Sequence, residues 1–467
     1  MRRNATLGLL LLLSGSLLVP GCAYRSAVKG KQFKLPKRFA QPASDASQPL
    51  SGRWWQAFEQ PKLNQLMQQA FAESLSLKIA RARAKQARAQ LMAARAGWWP
   101  SVQAQVSAGR RKMLLSSQFQ FTTNSVALSV AASYEFDIWG KQRFASESAE
   151  RLAAASQEEI RAAYVSLAAE LAEAYFAIGA ARAQLELVDR TIESRERQLD
   201  LVKGRYRAGV ANAVEVYQAE GNVAAARADR EAVEQRIKLA EHALALLVGR
   251  FPGEIETGQL NNLPTQVKQV THGVPSDLLM QRPDLRAGYF RIFAADAAVG
   301  AAFAAHFPSL MISGDVGHSF TPTGLVWSML GGLTAPLFQG GRIRAKYLQN
   351  KAQLDESLAN FDGLLRRAVK EVEDALVSGR AQEQRVKFLE AQAEAAENAL
   401  RLATEQYQQG LLTYLTVLTT EQAAFAAKTQ LINGRRELIS SRIQLARAIG
   451  GDWVDRELNA RTNKGQK

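Results

Sequence analysis

Two long tracts in the first half of the chain carry an apolar residue at every third or fourth position. The first extends from about residue 141 to about residue 203, and the second follows a short turn and ends near Val248. This spacing predicts helices that pack against neighbouring helices as in coiled coils. At about 1.5 Å per residue, the first helix is roughly 90 Å long. The apolar positions are Leu167, Leu171, Ala174, Ile178, Ala181, Leu185, Val188, Ile192, Leu199 and Val202, then Val223, Ala226, Val233, Ile237, Ala240, Leu244 and Leu247, with Arg195 and Arg230 as interruptions.

Shorter segments alternate small or polar residues with apolar ones. Ser101–Ser107 and Ser125–Tyr134 do so in the first half, and residues 309–318 and 325–337 do so in the second half. Alternation with a period of two predicts β-strands. Weak alternation with small side chains is typical of barrel strands that have one lipid face and one wet face. The sequence therefore predicts a mainly α-helical chain with four membrane β-strands.

The set of helices and strands occurs twice. The turn sequences Arg205-Tyr-Arg-Ala-Gly209 and Gln406-Tyr-Gln-Gln-Gly410 lie 410 − 209 = 201 residues apart. Pro100 and Pro308, which precede the first strand of each copy, lie 308 − 100 = 208 residues apart. The first copy therefore has seven extra residues in its strands or in their loop. A period of this length indicates a duplicated half-domain rather than a solenoid.

These patterns divide the chain into six segments. We predict a signal peptide at residues 1–21, a polar tether at 22–60, a first structural repeat at 61–250, a linker at 251–275, a second repeat at 276–451 and a loosely held tail at 452–467. Trp54, Trp55 and Phe58 are expected to anchor the end of the tether. Since no proline or glycine lies between Lys62 and Gly97, this stretch is predicted to be one helix.

The first residues indicate export. Arg2 and Arg3 precede an apolar run that ends at a small-residue site, which is the pattern of a secretory signal and is too short for a spanning helix. Cys22 is the only cysteine, so a disulfide within one chain is excluded. The net charge is +15, but the basic residues alternate with glutamates along the helices. Such a dispersed charge on an exported chain argues against a nucleic-acid-binding protein.

The sequence shows no pattern of a catalytic, cofactor or metal site. His242, His272, His306 and His318 lie far apart, without the paired spacing of metal ligands. The chain is therefore predicted not to be an enzyme.

Together these features resemble the outer membrane factor (TolC-like) family, and within it the lipid-anchored efflux lipoproteins. Val19-Pro-Gly-Cys22 resembles a lipobox, in which the cysteine is acylated, for example with palmitate. The resemblance covers almost the whole mature chain. Its other marks are Phe136-Asp-Ile-Trp-Gly-Lys-Gln-Arg143, its echo Pro336-Leu-Phe-Gln-Gly-Gly-Arg-Ile-Arg344, Gln281-Arg-Pro-Asp-Leu-Arg286, the two Tyr-x-x-Gly turns and Ala448-Ile-Gly-Gly-Asp-Trp453.

The resemblance implies a trimeric 12-stranded β-barrel that continues into a 12-helix periplasmic α-barrel. Strand count supports it, because four strands cannot close alone without leaving unpaired edges in lipid. Three chains supply 4 × 3 = 12 strands, which is within the range of membrane barrels. The implied function is passive export of drugs or other small solutes in a tripartite system, and thus antibiotic resistance. The excess of basic residues suggests that these solutes are neutral or anionic more often than cationic. A duct for secreted proteins and a lipid-anchored coiled-coil scaffold without a pore are the alternatives.

The resemblance also implies functional residues at the turns and three kinds of partner. The partners are two further copies of the chain, a periplasmic adaptor with its inner-membrane pump, and outer membrane lipid held through Cys22. The family often has an aspartate where this chain has Thr419, so Glu215, or Glu220 and Glu421, are alternative sources of charge at the gate. The gate candidates are Val214, Glu215, Gln218, Leu415 and Thr419, and the adaptor-contact candidates are Arg205, Tyr206, Arg207, Gly209, Tyr407 and Gly410.

Overall fold

The computed structural model describes residues 24–26, 28, 33, 36, 38–40, 52–114, 120–258, 263–264, 281–320, 323–451 and 453–464. The predicted signal peptide, Cys22, and much of the predicted tether and linker lie outside these residues. A short 3₁₀ helix at Trp54–Phe58 opens the main described part. The helices that follow are α1 (Pro61–Glu73), α2 (Leu75–Ala96), α3 (Lys141–Arg207), α4 (Ala213–Val248), α5 (Pro283–Ala304), α6 (Arg342–Gln408), α7 (Tyr414–Ile449) and α8 (Trp453–Lys464). The strands are β1 (Ser101–Leu114), β2 (Gln120–Phe136), β3 (Ser309–Phe320) and β4 (Thr323–Thr334).

The long and short helices of the two repeats match in length. Helices α3 and α6 each have 67 residues, and the return helices α4 and α7 each have 36 residues. At about 1.5 Å per residue, each long helix extends for about 100 Å. The predicted duplication of a long and a short helix is therefore confirmed. In the described part of the chain, no helix is both long enough and apolar enough to cross a bilayer.

The prediction of one helix between Lys62 and Gly97 is wrong, because the chain breaks at Ser74 between α1 and α2. The end of α4 lies close to this break. A Cβ atom at Gly249 would lie 2.6 Å from the carbonyl oxygen of Glu73. The second repeat has the same junction, where a Cβ atom at Gly450 would lie 2.7 Å from the carbonyl oxygen of Gln281. Each return helix therefore ends against the backbone at the start of its own repeat.

The four strands form one antiparallel sheet in the order β1-β2-β3-β4. Strands β1 and β2 have 14 and 17 residues, whereas β3 and β4 have 12 each. The extra residues of the first repeat therefore lengthen its hairpin. Strand pairing continues for seven residue pairs beyond Ala127↔Ser319 in the first hairpin, from Ala108↔Val126 to Leu114↔Gln120, and for one pair, Phe320↔Thr323, in the second.

The register gives the sheet two different faces. Directly paired residues share a face, because side chains alternate along each strand. One face, here called the apolar face, carries Val102, Ala104, Val106, Ala108, Val126, Leu128, Val130, Ala132, Leu310, Ile312, Val316, Leu325, Trp327, Met329 and Leu333. The other, here called the polar face, is mostly small or polar, as at Ser101, Gln103, Gln105, Ser107, Ser129, Ser133, Ser313, Asp315 and Ser328. The two-faced strands expected from the sequence are thus observed.

The chain divides into two compact units, and the sheet belongs to the unit formed by Met1–Phe33, Ala84–Ser156 and Ala287–Asp362. Aromatic side chains gather where its helices meet its strands. Trp139 stacks on Phe307 with 4.8 Å between ring centroids, and its indole nitrogen donates a hydrogen bond to the carbonyl oxygen of Pro308. Tyr134 and Phe136 make an edge-to-face pair on the apolar face. Aromatic girdles of this kind mark the membrane interface of barrel proteins.

The other unit comprises Lys34–Arg83, Gln157–Arg286 and Gly363–Lys467, and it contains an aromatic core. Trp55 lies 4.9 Å from Trp453 and 5.6 Å from Phe71, measured between ring centroids. Trp54, Trp55 and Phe58 are buried, as predicted for the end of the tether. The expectation of a loosely held tail is wrong for α8, because Trp453 is buried in this core and Glu457 accepts a hydrogen bond from Arg53.

Candidate gate at the two helical turns

Both turns between a long and a short helix close with the same hydrogen bonds. The amide of Gly209 donates to the carbonyl oxygen of Tyr206, and the amide of Val210 donates to that of Arg205, both at 3.0 Å. In the second turn the amides of Gly410 and Leu411 donate to Tyr407 and Gln406 in the same way. This pair of bonds is the Schellman motif, which places a left-handed residue after the helix end. The two glycines have φ values of +76° and +78°.

A tyrosine at one turn connects the two helical hairpins. The hydroxyl group of Tyr407 on α6 donates a hydrogen bond of 3.2 Å to Glu215 on α4. Arg205 on α3 donates to the carbonyl oxygen of Tyr407 at 3.0 Å, and its guanidinium carbon lies 4.7 Å from the centre of the tyrosine ring. Burial, together with the adjacent Glu215 carboxylate, raises the pKa of Tyr407 to about 12. Tyr407 therefore remains a hydrogen-bond donor at neutral pH. We call Arg205, Tyr407 and Glu215 the tyrosine latch.

An apolar cluster supports the latch. It contains Val202 on α3, Ala219 on α4, Tyr407 on α6, and Tyr414 and Val417 on α7. All five residues are buried, and the two tyrosine rings lie 5.9 Å apart. Because one cluster takes residues from all four helices, the two turns cannot separate without exposing it. The latch therefore holds one hairpin to the other.

The remaining gate candidates lie at the surface of the chain. Val214 and Gln218 on α4, and Leu415 and Thr419 on α7, are all exposed and are spaced one helical turn apart on their helices. The Thr419 hydroxyl group donates to the carbonyl oxygen of Thr416 at 3.0 Å, so it is satisfied within its own helix. These four side chains are free to face a second copy of the chain or an axis between copies.

Two of the glutamates considered as gate charges have other roles. Glu421 is only 3% exposed, and it accepts a hydrogen bond of 3.1 Å from Arg195 on α3. It therefore cannot supply charge at an open aperture, and the interpretation of Glu421 as a gate charge is wrong. Its counterpart in the first repeat, Glu220, is exposed and pairs with Lys203 at 2.9 Å. Burial raises the pKa of Glu421, and the nearby Arg195 offsets only part of this effect.

The adaptor-contact candidates divide into exposed and buried residues. Tyr206, Arg207, Gly209 and Gly410 are exposed, and Arg205 is partly buried in the latch. Tyr407 is only 3% exposed, whereas the equivalent Tyr206 in the first repeat is 49% exposed. The assignment of Tyr407 as a surface contact is therefore corrected, because its ring lies inside the chain. The duplicated tyrosines have diverged in role.

The sequence carries a signal for both interactions that the prediction missed. Arg195 interrupts the apolar pattern of α3, and a charged residue in such a seam requires a buried partner, which is Glu421. Tyr407 follows Leu400 and Ala403 at spacings of three and four, which places it on the apolar side of α6. In the described residues, no three histidine, cysteine or acidic side chains are grouped so as to hold a metal ion.

Comparisons with known proteins agree with this architecture. The profile of the family described as outer membrane efflux protein matches residues 66–250 and 274–451. The antibiotic efflux pump outer membrane protein ArpC of Pseudomonas putida is 27% identical over 462 residues, which cover 95% of this chain and 94% of ArpC. The outer membrane protein OprJ of Pseudomonas aeruginosa is 31% identical over 416 residues, which cover 85% of this chain and 86% of OprJ. The structure of the outer-membrane channel OprN matches with a TM-score of 0.81 and 27% identity, covering 91% of this chain and 99% of OprN. The chain is therefore a non-enzymatic channel that lies in the outer membrane, extends into the periplasm and serves an efflux system. It belongs to the outer membrane efflux protein family.

Proposed function

We propose that three copies of this chain form the exit duct of a tripartite efflux pump, which releases antibiotics and other small solutes by passive conduction. The sheet is the observation that carries this proposal. Its four strands have one apolar and one polar face, and β1 and β4 are each paired on one side only within the described chain. Unpaired peptide groups in hydrocarbon cost several kcal/mol each. Pairing β1 of one copy with β4 of the next removes both edges and gives a closed ring of twelve strands.

The helices supply the continuation of this duct. Each chain has two long helices, and each return helix ends against the start of its own repeat, at Gly249 and Gly450. A 36-residue return helix and the 22-residue helix near the start of its repeat (α2 or α5) together have 58 residues, which approaches the 67 residues of a long helix. Each chain therefore contributes four helical columns, and three chains contribute twelve. A ring of twelve columns matches the ring of twelve strands in number.

The tyrosine latch keeps the periplasmic end shut in this proposal. The hydrogen bond from Tyr407 to Glu215 and the cluster around it hold the two hairpins of each chain together. Leu415 and Thr419, with Val214 and Gln218, line the constriction that results. These four residues are uncharged, so the constriction closes by packing rather than by a ring of acidic side chains.

The duct opens when a periplasmic adaptor, driven by an inner-membrane pump, binds the turns. The exposed residues Tyr206 and Arg207 and the two turn glycines form the docking surface. Acylation of Cys22 after signal cleavage anchors each chain to the outer membrane. The relative ArpC is named as a component of an antibiotic efflux pump. This name supports antibiotics as one class of solute.

The proposal is tested by the conductance of the purified trimer in planar bilayers. Tyr407→Phe retains the packed ring and removes only the hydroxyl group that donates to Glu215. Each copy loses a hydrogen bond worth about 1 kcal/mol. Since three copies act together, we expect the closed-to-open equilibrium to shift by roughly a hundredfold. The wild-type channel should be mostly closed, and the variant should conduct without an adaptor.

The matched control is Tyr206→Phe. It makes the same chemical change at the equivalent position of the first repeat, where the hydroxyl group lies on an exposed side chain. Its conductance should equal that of the wild type. Equal conductance of all three proteins, or opening by Tyr206→Phe alone, would contradict the latch.

Two other functions give different results in simple measurements. A coiled-coil scaffold without a pore would form no heat-modifiable trimer and no conductance in bilayers. A duct for secreted proteins would conduct, but its deletion would leave antibiotic resistance unchanged and would stop secretion of a protein. The apolar face of the sheet disfavours the scaffold, because a periplasmic protein has no reason to expose it.

A further inference from the structure

The longer hairpin carries three consecutive basic residues near its turn. Arg110, Arg111 and Lys112 lie on β1, beyond the level at which β3 and β4 end. All three side chains are exposed. No aspartate or glutamate occurs between Ser101 and Tyr134, and Glu135, at the helical end of β2, pairs with Lys141 instead. This part of the hairpin is therefore cationic.

The register divides the three cations between the two faces of the sheet. Arg110 pairs with Asn124, and Lys112 pairs with Thr122. Both cations therefore lie on the apolar face, in line with Val102, Val106 and the other apolar residues of β1. Arg111 pairs with Thr123 and lies on the polar face. The apolar face thus ends in two cations, Arg110 and Lys112, which we call the cationic rim.

The height of the apolar face places this rim at the membrane surface. Tyr134 marks the end of the apolar face that is nearest the helices. Asn124, the partner of Arg110, lies ten residues before Tyr134 on β2, towards the hairpin turn. Ten residues span about 33 Å along a strand at 3.3 Å per residue. With a strand tilt of about 40°, this distance corresponds to roughly 25 Å along the membrane normal, the height of the apolar band of a barrel. In the proposed barrel, the rim therefore lies at the level of the lipid headgroups.

The rim lies on the outer side of the membrane. The helices extend into the periplasm, and they join the hairpin at the end opposite its turn. The turn end therefore faces the exterior. We propose that Arg110 and Lys112 bind the phosphate groups of the glycolipid that forms the outer leaflet of the outer membrane. Two cations next to lipid match the negative charge of that headgroup, and the apolar face below them packs against its acyl chains.

This interaction adds a function that export itself does not require. In a trimer the rim occurs three times around the barrel, so three glycolipids are held at fixed positions. Asn124 and Thr122 lie beside the cations and offer neutral hydrogen-bond donors for the remaining phosphate or sugar oxygens. The bound lipid seals the outer surface of the hairpin where it extends beyond the shorter neighbour. The described strands of the shorter hairpin, β3 and β4, end before this level, and their one basic residue, His318, pairs with Leu128, four residues from Asn124.

Lipid retention by the full-length trimer tests the proposal. The protein is reconstituted in vesicles of phosphatidylcholine with lipid A that bears two phosphates, re-extracted in mild detergent, and examined by native mass spectrometry. We expect about three lipid A molecules per wild-type trimer. The double variant Arg110→Thr/Lys112→Thr should retain at least tenfold fewer lipid A molecules per trimer. High salt should reduce the number that the wild type retains. Threonine is chosen because it favours strands.

Arg111→Thr is the matched control. It removes one cation from the same strand but from the polar face, so retention should be unchanged. Arg110→Lys/Lys112→Arg keeps the charges and should also retain lipid A. Trimer formation is verified for each variant by heat modifiability, and the conductance of the double variant Arg110→Thr/Lys112→Thr should remain that of the wild type. A double variant that loses lipid A but conducts normally would show that lipid binding fails while the proposed duct remains intact.

Three results would overturn the proposal. The first is equal retention by the wild type and the double variant. The second is an equal loss in Arg111→Thr, which would indicate a general effect of net charge. The third is equal retention of dephosphorylated lipid A by the wild type, which would show that acyl chains alone bind.

Discussion

At the scale of single residues, the two turns depend on backbone conformation rather than on space. No atom lies within 4 Å of a Cβ atom built at Gly209 or Gly410, yet both residues have a positive φ. An added side chain therefore meets no neighbour and is disfavoured by its own backbone. Gly204 also has open space around it, but it lies in the last turns of α3 with a helical conformation.

This contrast gives a prediction for alanine variants. Gly209→Ala and Gly410→Ala should each destabilise the folded chain by about 1–2 kcal/mol, because alanine resists the left-handed conformation. Gly204→Ala should stabilise it by up to about 1 kcal/mol through helix propensity. Scanning calorimetry of the purified trimer measures these differences, and antibiotic resistance of cells carrying each variant reports export. Equal effects at all three positions would refute the assignment of the turns.

At the scale of elements, the packing of helices around the latch depends on a buried ion pair. Arg195 on α3 and Glu421 on α7 pair across the bundle, and Arg195 also donates to the carbonyl oxygen of Asn222 on α4 at 2.9 Å. A single guanidinium group thus links three helices. Removing one member of such a pair leaves a buried charge without a partner, which is more costly than losing both members.

The pH dependence of the stability of the folded chain tests the effect of burying Glu421 in this pair. Because burial raises the pKa of Glu421 above its ordinary value of 4.5, the folded chain binds this proton more tightly than the unfolded chain does. The stability due to this group is fully present below the ordinary pKa and is lost as the pH rises through the raised value. The melting temperature of the wild type relative to Glu421→Gln should therefore be highest near pH 4 and fall towards pH 8.

The same measurement with Glu220→Gln is the control at the equivalent position of the first repeat. Glu220 forms an exposed pair with Lys203, and such pairs contribute at most about 1 kcal/mol. Glu220→Gln should therefore change the melting temperature by less than Glu421→Gln does. A wild type whose advantage over Glu421→Gln grows with rising pH would contradict the sign of the shift.

At the scale of the whole molecule, the net charge of +15 is not located on the polar face of the sheet. In the described strands the charged residues of this face are Arg111, Glu135 and Asp315, and Glu135 pairs with Lys141 at 3.0 Å. Many of the basic residues instead form ion pairs along the helices, as Arg227 does with Glu196. The hypothesis that the basic balance favours anionic solutes therefore gains no support from the barrel section.

The proposed barrel predicts how these charges affect ions. Asp315→Asn should shift the reversal potential of the open trimer towards anions, and Arg111→Thr should shift it towards cations, because both side chains face the lumen in three copies. Lys112→Thr should leave the reversal potential unchanged, because it removes a cation from the apolar face. Reversal potentials in a salt gradient across a planar bilayer measure all three. A shift with Lys112→Thr equal to that with Arg111→Thr would show that the faces are assigned wrongly.

Much of the architecture follows from sequence patterns that act locally. The 3.5-residue spacing along α3 and α4, the alternation in the strands and the repeated Tyr-x-x-Gly turns predict the elements and their duplication. The resemblance to the family predicts the trimeric duct, and it predicts the regions in which a gate and an adaptor contact would lie. Helix periodicity and turn formation depend on residues that are close together in the sequence. They can therefore be predicted without knowledge of the fold.

Tertiary structure decided which of two equivalent residues has which role. Tyr206 and Tyr407 occupy the same position of the two Tyr-x-x-Gly turns, yet only Tyr407 packs against Tyr414 and reaches Glu215. The break at Ser74 lies against Gly249, and Trp453 of α8 packs against Trp55. In each case the deciding neighbour lies far away in the sequence. Sequence by itself thus determined the elements and their repetition, whereas contacts between distant segments decided burial and charge pairing, because these depend on packing across the whole fold.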